Sequence, residues 1–598
     1  MIGSHSIHFS RKDNATRICY DLPFRVHIAR VYPLAAPDGT TLIVYGHDRG
    51  LSAVWKDGRR STMRETADPT KTAPIVKAFH LFLDTEVVDL ALPDVPPASF
   101  WNASSIPTIF STNIIVAAAC ADANVRVFTL PLSPQDGEKT LRGVERETAT
   151  IALSGQPTSV SVTWTPRTPD LLEDLSPDEE EHRPQSSKDF DLLVAAASTE
   201  TVSYLSIAQI PLIGDTIRPG HHTPFQKRPL QYSPEISFSP AVYPAKQHTQ
   251  LLVVNRGGSV AVYDPLLRPK DARVPRFDID VAPLPEKGTW IAAFSAPIDT
   301  QKLPDLRFMQ RKRILSAQWT SGGKSILALL SDGEWGVWDF DHAAPAGAQS
   351  NRRDAFALRG YVGSSGSIPS HDASAPKKPR GTRSSLAPMT PNTRRVKEEA
   401  LFGGHADSTE SSHARGGVTR YMAPSLSGSA TDEGVLLWYE QAVYTIPSLQ
   451  AFWTRAIKDS ASRRSDAPGG SLYGPGLSRV EGTEPNGELI TSVSALPHVG
   501  SESASVAARQ DVLVTGEHRL LFVTNTMPRT AEQANAVFQR QLRQKAGQTE
   551  RDQQLLARGE LDLGGVDRML DSYNMDEDDP FGTPVPRREG PKRVGFME

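Results

Sequence analysis

The sequence is poor in cysteine. Cys19 and Cys120 are the only two among 598 residues, and neither has a second cysteine or a histidine at metal-binding spacing. Zinc fingers and disulfide frameworks are therefore excluded. Low cysteine use is typical of proteins in a reducing compartment. Cys120 follows the apolar run 114–119, which indicates a buried, inert thiol.

Long apolar runs are also missing. No stretch approaches the ~20 apolar residues of a membrane span, and residues 1–20 lack the apolar centre of a secretory signal. Charged residues make up 22% of the chain, with a formal net charge of −4. No basic excess points to nucleic acid, and no strong acidity indicates a wholly solvated chain. We therefore expect a soluble protein without membrane insertion.

Sequence motifs of catalysis are absent as well. Residues 321–325 end like a phosphate-binding loop, but Gln318 stands where that pattern requires its first glycine. Gly46-His47-Asp48 sets a histidine beside a carboxylate, yet in a predicted hairpin turn, where polar residues are ordinary. No nucleophile elbow or zinc-protease motif occurs. The sequence predicts no catalytic residue, no cofactor and no metal, and hence a protein that is not an enzyme.

One structural unit recurs along the chain. Its clearest copy has a strand at 313–319, a second at 325–330, the turn Asp332-Gly333 and a third strand at 335–339. Asp-Gly is a strong hairpin signal because both positions tolerate a positive φ. The copy ends in Trp338-Asp339, the dipeptide that closes the third strand of a WD repeat.

Looser copies of this unit occur along the rest of the chain, mostly roughly 60 to 80 residues apart. Their hairpins lie at 41–55, 113–128, 192–204, 251–264, 435–444 and 511–523. Seven copies predict an all-β, seven-bladed WD40-like β-propeller; the alternative is a set of sandwich domains. The last copy has only three strands, so a spare N-terminal strand, 17–20 or 6–9, is expected to complete it. The predicted structural residues of the blades are Trp55, Trp164, Trp319, Trp338 and Asp339.

Composition divides the chain into five parts. The segment 343–413 is rich in Ser, Pro, Gly, Lys and Arg without apolar periodicity, which is typical of a disordered insertion. The predicted parts are the first five blades at 6–342, the basic insertion at 343–413, blades six and seven at 414–527, a helical tail at 528–575 and a disordered acidic or polar C-terminus at 576–598.

The insertion and the tail carry candidate interaction sites. Lys377-Lys378-Pro379-Arg380 is a nuclear import signal, a nucleic-acid patch or simply a solvated basic loop. Thr390 precedes a proline and is a candidate phosphosite. In the tail, one helical face would present candidate partner-binding residues at i, i+3, i+4 and i+7, namely Val566, Met569, Leu570 and Tyr573. This face either packs on the propeller or fills a groove on a partner.

A degenerate propeller with a basic insertion and a helical tail resembles a fungal WD-repeat nucleoporin of the Y-shaped outer-ring complex, of the thirty-seven-kilodalton class. The segments that carry this resemblance are 313–339, 384–402 and, more weakly, 579–584, and the propeller part spans about 6–525. The resemblance implies a non-enzymatic scaffold at the nuclear envelope, within the nuclear pore complex. Such a subunit is monomeric, docks laterally on a propeller-and-helix nucleoporin and supports mRNA and protein transport through pore assembly.

Two other functions remain open at this point. One is a WD-repeat adaptor of another nuclear assembly, in chromatin or in a ubiquitin ligase. The other is a propeller hydrolase, which a cluster of histidines and carboxylates at one end of the central channel would support. In the adaptor and nucleoporin cases the partners are other proteins, and no direct contact of the propeller with nucleic acid is expected.

Overall fold

Seven β-sheets, antiparallel except for one short strand at the edge of blade two, make up almost all of the described part of this protein, a computed structural model. Within the described part of the chain, the only α-helix is α1 (Leu449–Ser462). The described residues are 7–12, 15–57, 75–97, 101, 105–134, 148–167, 190–230, 232, 234–267, 288–298, 310–345, 355–362, 414–423, 432–462, 477–485, 487–497 and 510–525.

Each sheet is one blade of a propeller. Blade one contains β3 (Val26–Val31), β4 (Thr41–His47), β5 (Gly50–Lys56) and β6 (Ile75–Phe82). Blade two contains β7 (Val87–Ala91), β8 (Asn113–Cys120), β9 (Asn124–Pro131), β10 (Ala149–Ala152) and, in parallel at its edge, β15 (Gly220–His222). Blade three contains β11 (Gln156–Pro166), β12 (Phe190–Thr199) and β13 (Ser203–Ile213), which pairs with both β14 (Thr216–Ile217) and β16 (Gln226–Leu230).

The remaining blades repeat the same order. Blade four contains β17 (Glu235–Phe238), β18 (Leu251–Asn255), β19 (Ser259–Asp264) and β20 (Thr289–Ser295). Blade five contains β21 (Ile314–Thr320), β22 (Ser325–Leu330), β23 (Glu334–Asp339) and β24 (Leu358–Tyr361). Blade six contains β25 (Gly416–Ala423), β26 (Asp432–Tyr439), β27 (Ala442–Ile446) and β28 (Ser478–Val480), with α1 inserted before β28. Blade seven contains β29 (Ser492–Ala495), β30 (Val512–Thr515), β31 (Arg519–Asn525), β2 (Ala15–Asp21) and β1 (Ile7–Lys12).

Blade five shows how the local sequence produces a blade. The six residues of β22 are all buried, as expected of a strand covered on both faces. Gly333 turns the chain with φ 81°, and a side chain there would collide with the Val362 carbonyl. Asp332 then accepts a hydrogen bond from the amide of Glu334 (3.1 Å), which starts β23.

The ring closes through strands from both ends of the propeller. β2 pairs with β31 over seven residue pairs, from Ala15 opposite Asn525 to Asp21 opposite Arg519. β1 then adds a fifth strand outside β2. The predicted seven-bladed propeller and its closure by an N-terminal strand are therefore confirmed, and both candidate strands take part.

The core lies between the blades. Each innermost strand contacts the next in the order β3, β7, β11, β17, β21, β25, β29 and back to β3. In the gaps between neighbouring blades, side chains from the first three strands of one sheet interdigitate with those of the next sheet. Several tryptophans and tyrosines lie in these gaps with almost no exposed surface. Large aromatic side chains fill the space that opens between two sheets as they diverge outward.

One predicted boundary is wrong. β24 lies inside the segment 343–413, which the composition assigned to a disordered insertion, and it pairs with β23 as the outer strand of blade five. Leu358 and Val362 are buried there. A second difference is α1, within the predicted sixth blade: its Leu449 and Trp453 are buried against blades five and six. The predicted helical tail 528–575 and the C-terminus lie outside the described residues.

The role of β24 can be tested with two internal deletions, each bridged by a glycine-serine linker. Removing 364–413 keeps β24, whereas removing 343–413 also strips Leu358, Val362 and Phe356 from blade five. We expect the longer deletion to be less stable by about 3 kcal/mol, the scale of burying two aliphatic side chains. Chemical denaturation of the two variants measures the difference. Equal stability would show that β24 contributes nothing to the ring.

Candidate functional site: the central channel and the outer edge of the ring

The seven innermost strands enclose a central channel of about 920 Å³. Polar atoms supply most of the exposed surface of its wall, where hydroxyl, carboxylate and guanidinium groups alternate with apolar side chains. A channel of this kind does not resemble a small-molecule pocket, which is mostly apolar with a few polar groups.

Many of the channel's polar groups hold the blades to one another. Every pair of adjacent blades is joined by at least one hydrogen bond that involves a side chain, and we call these bonds the polar staples. In three staples a side chain donates to a backbone carbonyl: Arg30 to Leu90 between blades one and two (3.2 Å), Tyr439 to Ser331 between five and six (2.9 Å), and Thr419 to Val493 between six and seven (2.7 Å). In three others a backbone amide donates to a side chain: Val160 to Asp89 between blades two and three (2.9 Å), Phe238 to Ser161 between three and four (2.8 Å), and Ala29 to Ser492 between seven and one (3.2 Å). Blades four and five are joined by two side chains, since Ser316 donates to Glu235 (3.2 Å).

Two buried carboxylates in the channel interact with one arginine. Burial raises the pKa of Asp89, and the guanidinium of Arg30, 3.7 Å away, opposes that rise. Burial also raises the pKa of Glu235 to about 6, helped by the charge of Asp89 and opposed by Arg30. These raised pKa values arise from burial in the packed ring, and the hydrogen bonds that both carboxylates accept from neighbouring blades act in the opposite direction. Perturbed carboxylates alone therefore do not identify a catalytic site here.

A further ion pair reaches across the channel. Arg420 on β25 of blade six approaches Asp94, which follows β7 of blade two, at 2.6 Å. The same guanidinium lies 3.9 Å from Glu433 at the start of β26. Because blades two and six are not neighbours, this pair spans the ring instead of sealing one gap. It also places charged side chains across the path of any ligand passing through the channel.

Three of the predicted blade tryptophans have the same role in their gaps. Each donates its indole N–H to a backbone carbonyl of an adjacent blade or its loops. Trp55 bonds to Leu132 (3.0 Å), Trp164 to Ser105 (3.0 Å) and Trp319 to Ser237 (3.1 Å). A buried indole needs such an acceptor, so these side chains combine apolar filling with a fixed orientation of adjacent sheets.

Trp338 and Asp339 end β23 as the sequence predicted. Trp338 has no exposed surface, and its ring lies 5.6 Å from Phe294 of blade four and 4.6 Å from Phe356. Asp339 accepts a hydrogen bond from the amide of Ala343 (2.7 Å), which turns the chain after the strand. The structure thus places Trp338 between blades four and five, remote from solvent.

Sequence analysis missed a hydrogen-bonded chain in blade one. His47, which was expected in a hairpin turn, is the last residue of β4 and is fully buried. Its Nδ1 accepts the amide hydrogen of Arg49 (3.2 Å), so the ring proton lies on Nε2, which donates to Ser52 Oγ (3.0 Å). Ser52 Oγ is also hydrogen-bonded to Nδ1 of His80 (2.7 Å). Burial lowers the pKa of His47 to about 4, so the ring is neutral.

The apolar surface that remains exposed includes an outer edge. On blade four, Trp290 and Ile291 at the start of β20 are 45% and 38% exposed, and Leu267, just after β19, is 41% exposed. The amide of Gly288 donates to the Leu267 carbonyl (2.9 Å), which holds the two segments together. The Trp290 ring packs against Tyr263 with a centroid distance of 4.8 Å. We call Leu267, Trp290 and Ile291 the blade-four edge.

A sequence profile of a known family extends over nearly all of this ring. The profile described as "Nucleoporin NUP37 N-terminal domain" matches residues 19–71 and 62–523. The chain belongs to this nucleoporin family. It is also 29% identical over 537 residues to the Nucleoporin NUP37 of Chaetomium thermophilum, across 77% of this chain and 68% of that protein. The predicted resemblance to a fungal nucleoporin is therefore confirmed, and with it the location at the nuclear pore complex of the nuclear envelope.

Family and fold together indicate a scaffold protein that is not an enzyme. Ser52, which lies between two imidazoles, is fully buried and is therefore not a reachable nucleophile. Across the described ranges, no group of three or more His, Cys, Asp or Glu side chains is placed to hold a metal ion. In the same ranges, no helix has the length and apolar character needed to cross a membrane.

The remaining predicted sites of this nucleoporin lie outside the described residues. They are the candidate phosphosite Thr390, the basic cluster 377–380 and the tail face of Val566, Met569, Leu570 and Tyr573. Their roles stay predictions. The two cysteines, by contrast, are described: both are buried, and burial raises the pKa of Cys120 to about 11, as expected of an inert thiol.

The packing of Trp338 predicts a large loss of stability on truncation. Trp338→Ala should lower the free energy of unfolding by about 3–5 kcal/mol, because it leaves a cavity between two sheets. Trp290→Ala is the matched control, since this tryptophan is half-exposed, and it should change stability by less than about 1 kcal/mol. Chemical denaturation of both variants measures the contrast. A stable Trp338→Ala variant that had lost a partner would instead assign the residue to binding.

The buried His47 predicts a pH dependence of stability. Its pKa is about 4 in the folded protein and about 6.5 when unfolded, so between these values the unfolded chain binds more protons. Stability should therefore fall as the pH drops from about 6.5 to about 4, by about 3 kcal/mol at most from this residue.

The variant His47→Gln isolates that contribution. Glu235 titrates in the same range with the opposite sign, because its raised pKa weakens the fold as the pH rises from about 4.5 to about 6. It is present in both proteins, so it cancels in the difference between them. Denaturation curves at pH 4.5 and pH 7 should show a smaller acid destabilisation for the variant. An unchanged difference would mean that His47 is already protonated in the folded protein.

Proposed function

We propose that this nucleoporin is a monomeric scaffold subunit of the Y-shaped outer-ring complex of the nuclear pore, and that it docks laterally on a helical nucleoporin. Through pore assembly it would support the transport of mRNA and protein. The observation that carries the proposal is the family match over nearly all of the propeller. The geometry is in keeping with it, because the channel wall is largely occupied by the polar staples while apolar surface remains at the outer edge of the ring.

The blade-four edge is the docking surface that we propose for the helical partner. Tryptophan is the residue type most enriched among interface hot spots, and the contact of Trp290 with Tyr263 limits its freedom before binding. A rigid aromatic side chain loses little conformational entropy on docking. Leu267 and Ile291 flank it with aliphatic surface of the kind that an amphipathic helix covers with residues at i, i+3 and i+4.

The propeller should carry more of the affinity than the tail. Stable interfaces bury about 1,200–2,000 Å² in total, an area that one short helix such as the predicted face at 566–573 cannot easily supply. The tail is then an auxiliary contact. We keep the WD-repeat adaptor of another nuclear assembly as the second candidate, since its partners would also meet the outer edges of the blades.

A pull-down of outer-ring subunits tests both parts of the proposal. Full-length protein should recover them, and a chain truncated after Asn525 should recover less but not none. Trp290→Ala should weaken recovery about tenfold or more, the equivalent of about 1.4 kcal/mol. Phe82→Ala is the matched control, because Phe82 is a 54% exposed aromatic residue on the outer strand of blade one.

The outcomes separate the candidates. If the full-length protein recovers histones or cullins and no outer-ring subunit, the adaptor replaces the nucleoporin scaffold. If truncation alone abolishes recovery, the tail is the main anchor. If Phe82→Ala is as harmful as Trp290→Ala, the blade-four edge is not the docking surface.

A further inference from the structure

Arginines gather at one mouth of the central channel. In blades one, five and six, the residue immediately before the innermost strand is Arg25, Arg313 and Arg415, respectively. Arg256 adds a fourth from the β18–β19 turn of blade four. All four are exposed and line the channel. Three of them, Arg256, Arg313 and Arg415, come from the consecutive blades four, five and six, and we call these three the arginine arc.

The repeat itself places these residues at the same mouth. The amide of Ile314, which starts β21, donates to the carbonyl of Arg256 in the turn of the preceding blade (3.2 Å). The amide of Val26, which starts β3, donates in the same way to Glu517 in the turn of blade seven (2.7 Å). The start of an innermost strand therefore lies beside the turn that joins the second and third strands of the preceding blade. Residues at these two repeat positions share one mouth of the channel.

Carboxylates also lie at this mouth. Asp332, in the β22–β23 turn of blade five, is bound to Lys312 at 2.7 Å. Glu517 is bound to Arg25 at 2.6 Å, outside the arc. Glu235 lies at the arc's edge, where it accepts a hydrogen bond from Ser316 and its charge interacts with those of Arg30 and Arg256. Glu440 accepts a hydrogen bond from the backbone amide of Arg415 (3.3 Å), but it forms no ion pair with the Arg415 guanidinium. Among the described residues, neither Arg256 nor Arg415 forms an ion pair closer than 4 Å.

We propose that the arginine arc binds an acidic peptide segment of a partner protein, in which carboxylate or phosphoserine side chains alternate with small residues. Guanidinium groups favour such ligands because each binds a carboxylate or a phosphate with two parallel hydrogen bonds. The arc borders a concave opening, so an extended segment can lay successive acidic groups on successive blades. This site is separate from the blade-four edge and does not depend on the identity of the helical partner.

The charge distribution favours a peptide over nucleic acid. Nucleic-acid surfaces are broad and carry a strong basic excess, whereas this chain has a formal net charge of −4. Glu440 and Glu517 stand among the arginines and would repel a continuous row of phosphates. A peptide can place neutral residues opposite these two carboxylates, so the mixed pattern suits interspersed acidic side chains.

Fluorescence anisotropy of the full-length protein with a short labelled peptide, in which glutamates alternate with serines, tests the proposal. We expect saturable binding that weakens as salt rises. The double variant Arg256→Glu and Arg415→Glu should bind about tenfold more weakly or worse. Its control is the double variant Lys246→Glu and Lys324→Glu, which makes the same change in net charge at exposed positions in the first-hairpin connections of blades four and five. The control should bind the peptide as the wild type does.

Three results would overturn the proposal. Equal binding by the arc variant and the wild type would show that the arc is not the site. An equal loss in the control variant would show non-specific attraction only. Tighter binding of a labelled single-stranded oligonucleotide than of the peptide, lost in the arc variant, would assign the arc to nucleic acid. Because a synthetic peptide replaces the partner, none of these results bears on the pull-down of outer-ring subunits.

Discussion

The pairing of β2 with β31 is the interaction on which the ring depends. A propeller blade buries its two faces against its neighbours, so a missing contact anywhere would expose two apolar faces at once. In this chain the last blade has only three strands of its own, and the fourth comes from the opposite end of the propeller sequence. The seven backbone pairs between Ala15–Asp21 and Arg519–Asn525 therefore hold the ends of the ring together. Every other blade interface relies on that closure, because an open ring could slide apart at its free ends.

The polar staples explain how a channel with buried charges remains stable. A buried carboxylate is strongly destabilising unless it is hydrogen-bonded. Asp89 meets this condition by accepting hydrogen bonds from the backbone amides of Leu90 and Val160 while facing Arg30. These bonds stabilise the charge of Asp89 and also give two backbone amides, in blades two and three, their hydrogen-bond acceptor. The buried tryptophans likewise have two roles, because their indole N–H groups orient one sheet on the next while their rings exclude water from the gap.

Much of the fold could be predicted from the sequence, because its strongest signals are local. Asp332-Gly333 defines a hairpin wherever it stands between two alternating strands, and Trp338 marks the end of the third strand. β24 could not be found in this way. Phe356, Leu358 and Val362 do alternate there, but this short apolar pattern lies within a long polar segment. It forms a strand because β23 offers an open edge. Tertiary pairing here overrides a local sequence that would otherwise remain irregular.

The candidate site was less predictable than the fold. α1 has apolar residues at helical spacing, Leu449, Trp453 and Ala456, so its signal was present but lay inside a segment already assigned to a blade. His47 gave a misleading signal, since a histidine next to Asp48 and Gly46 is typical of an exposed turn. Burial depends on the neighbours that arrive from elsewhere in the chain, such as Phe24, whose ring stacks on His47 at 4.5 Å. Sequence reasoning from one segment has no access to such contacts.

The architecture also limits where partners can bind. The gaps between blades are filled by tightly packed side chains, and the channel is crossed by Arg420 and Asp94, so neither accepts a large ligand without breaking the ring. Two kinds of surface remain on the described propeller, the outer edges of the sheets and the mouths of the channel. Apolar side chains are exposed at an outer edge in blade four, whereas guanidinium groups collect at one mouth. A helical partner that covers the outer edge of blade four would leave that mouth open, so a single rigid ring could hold two partners of different chemistry at once.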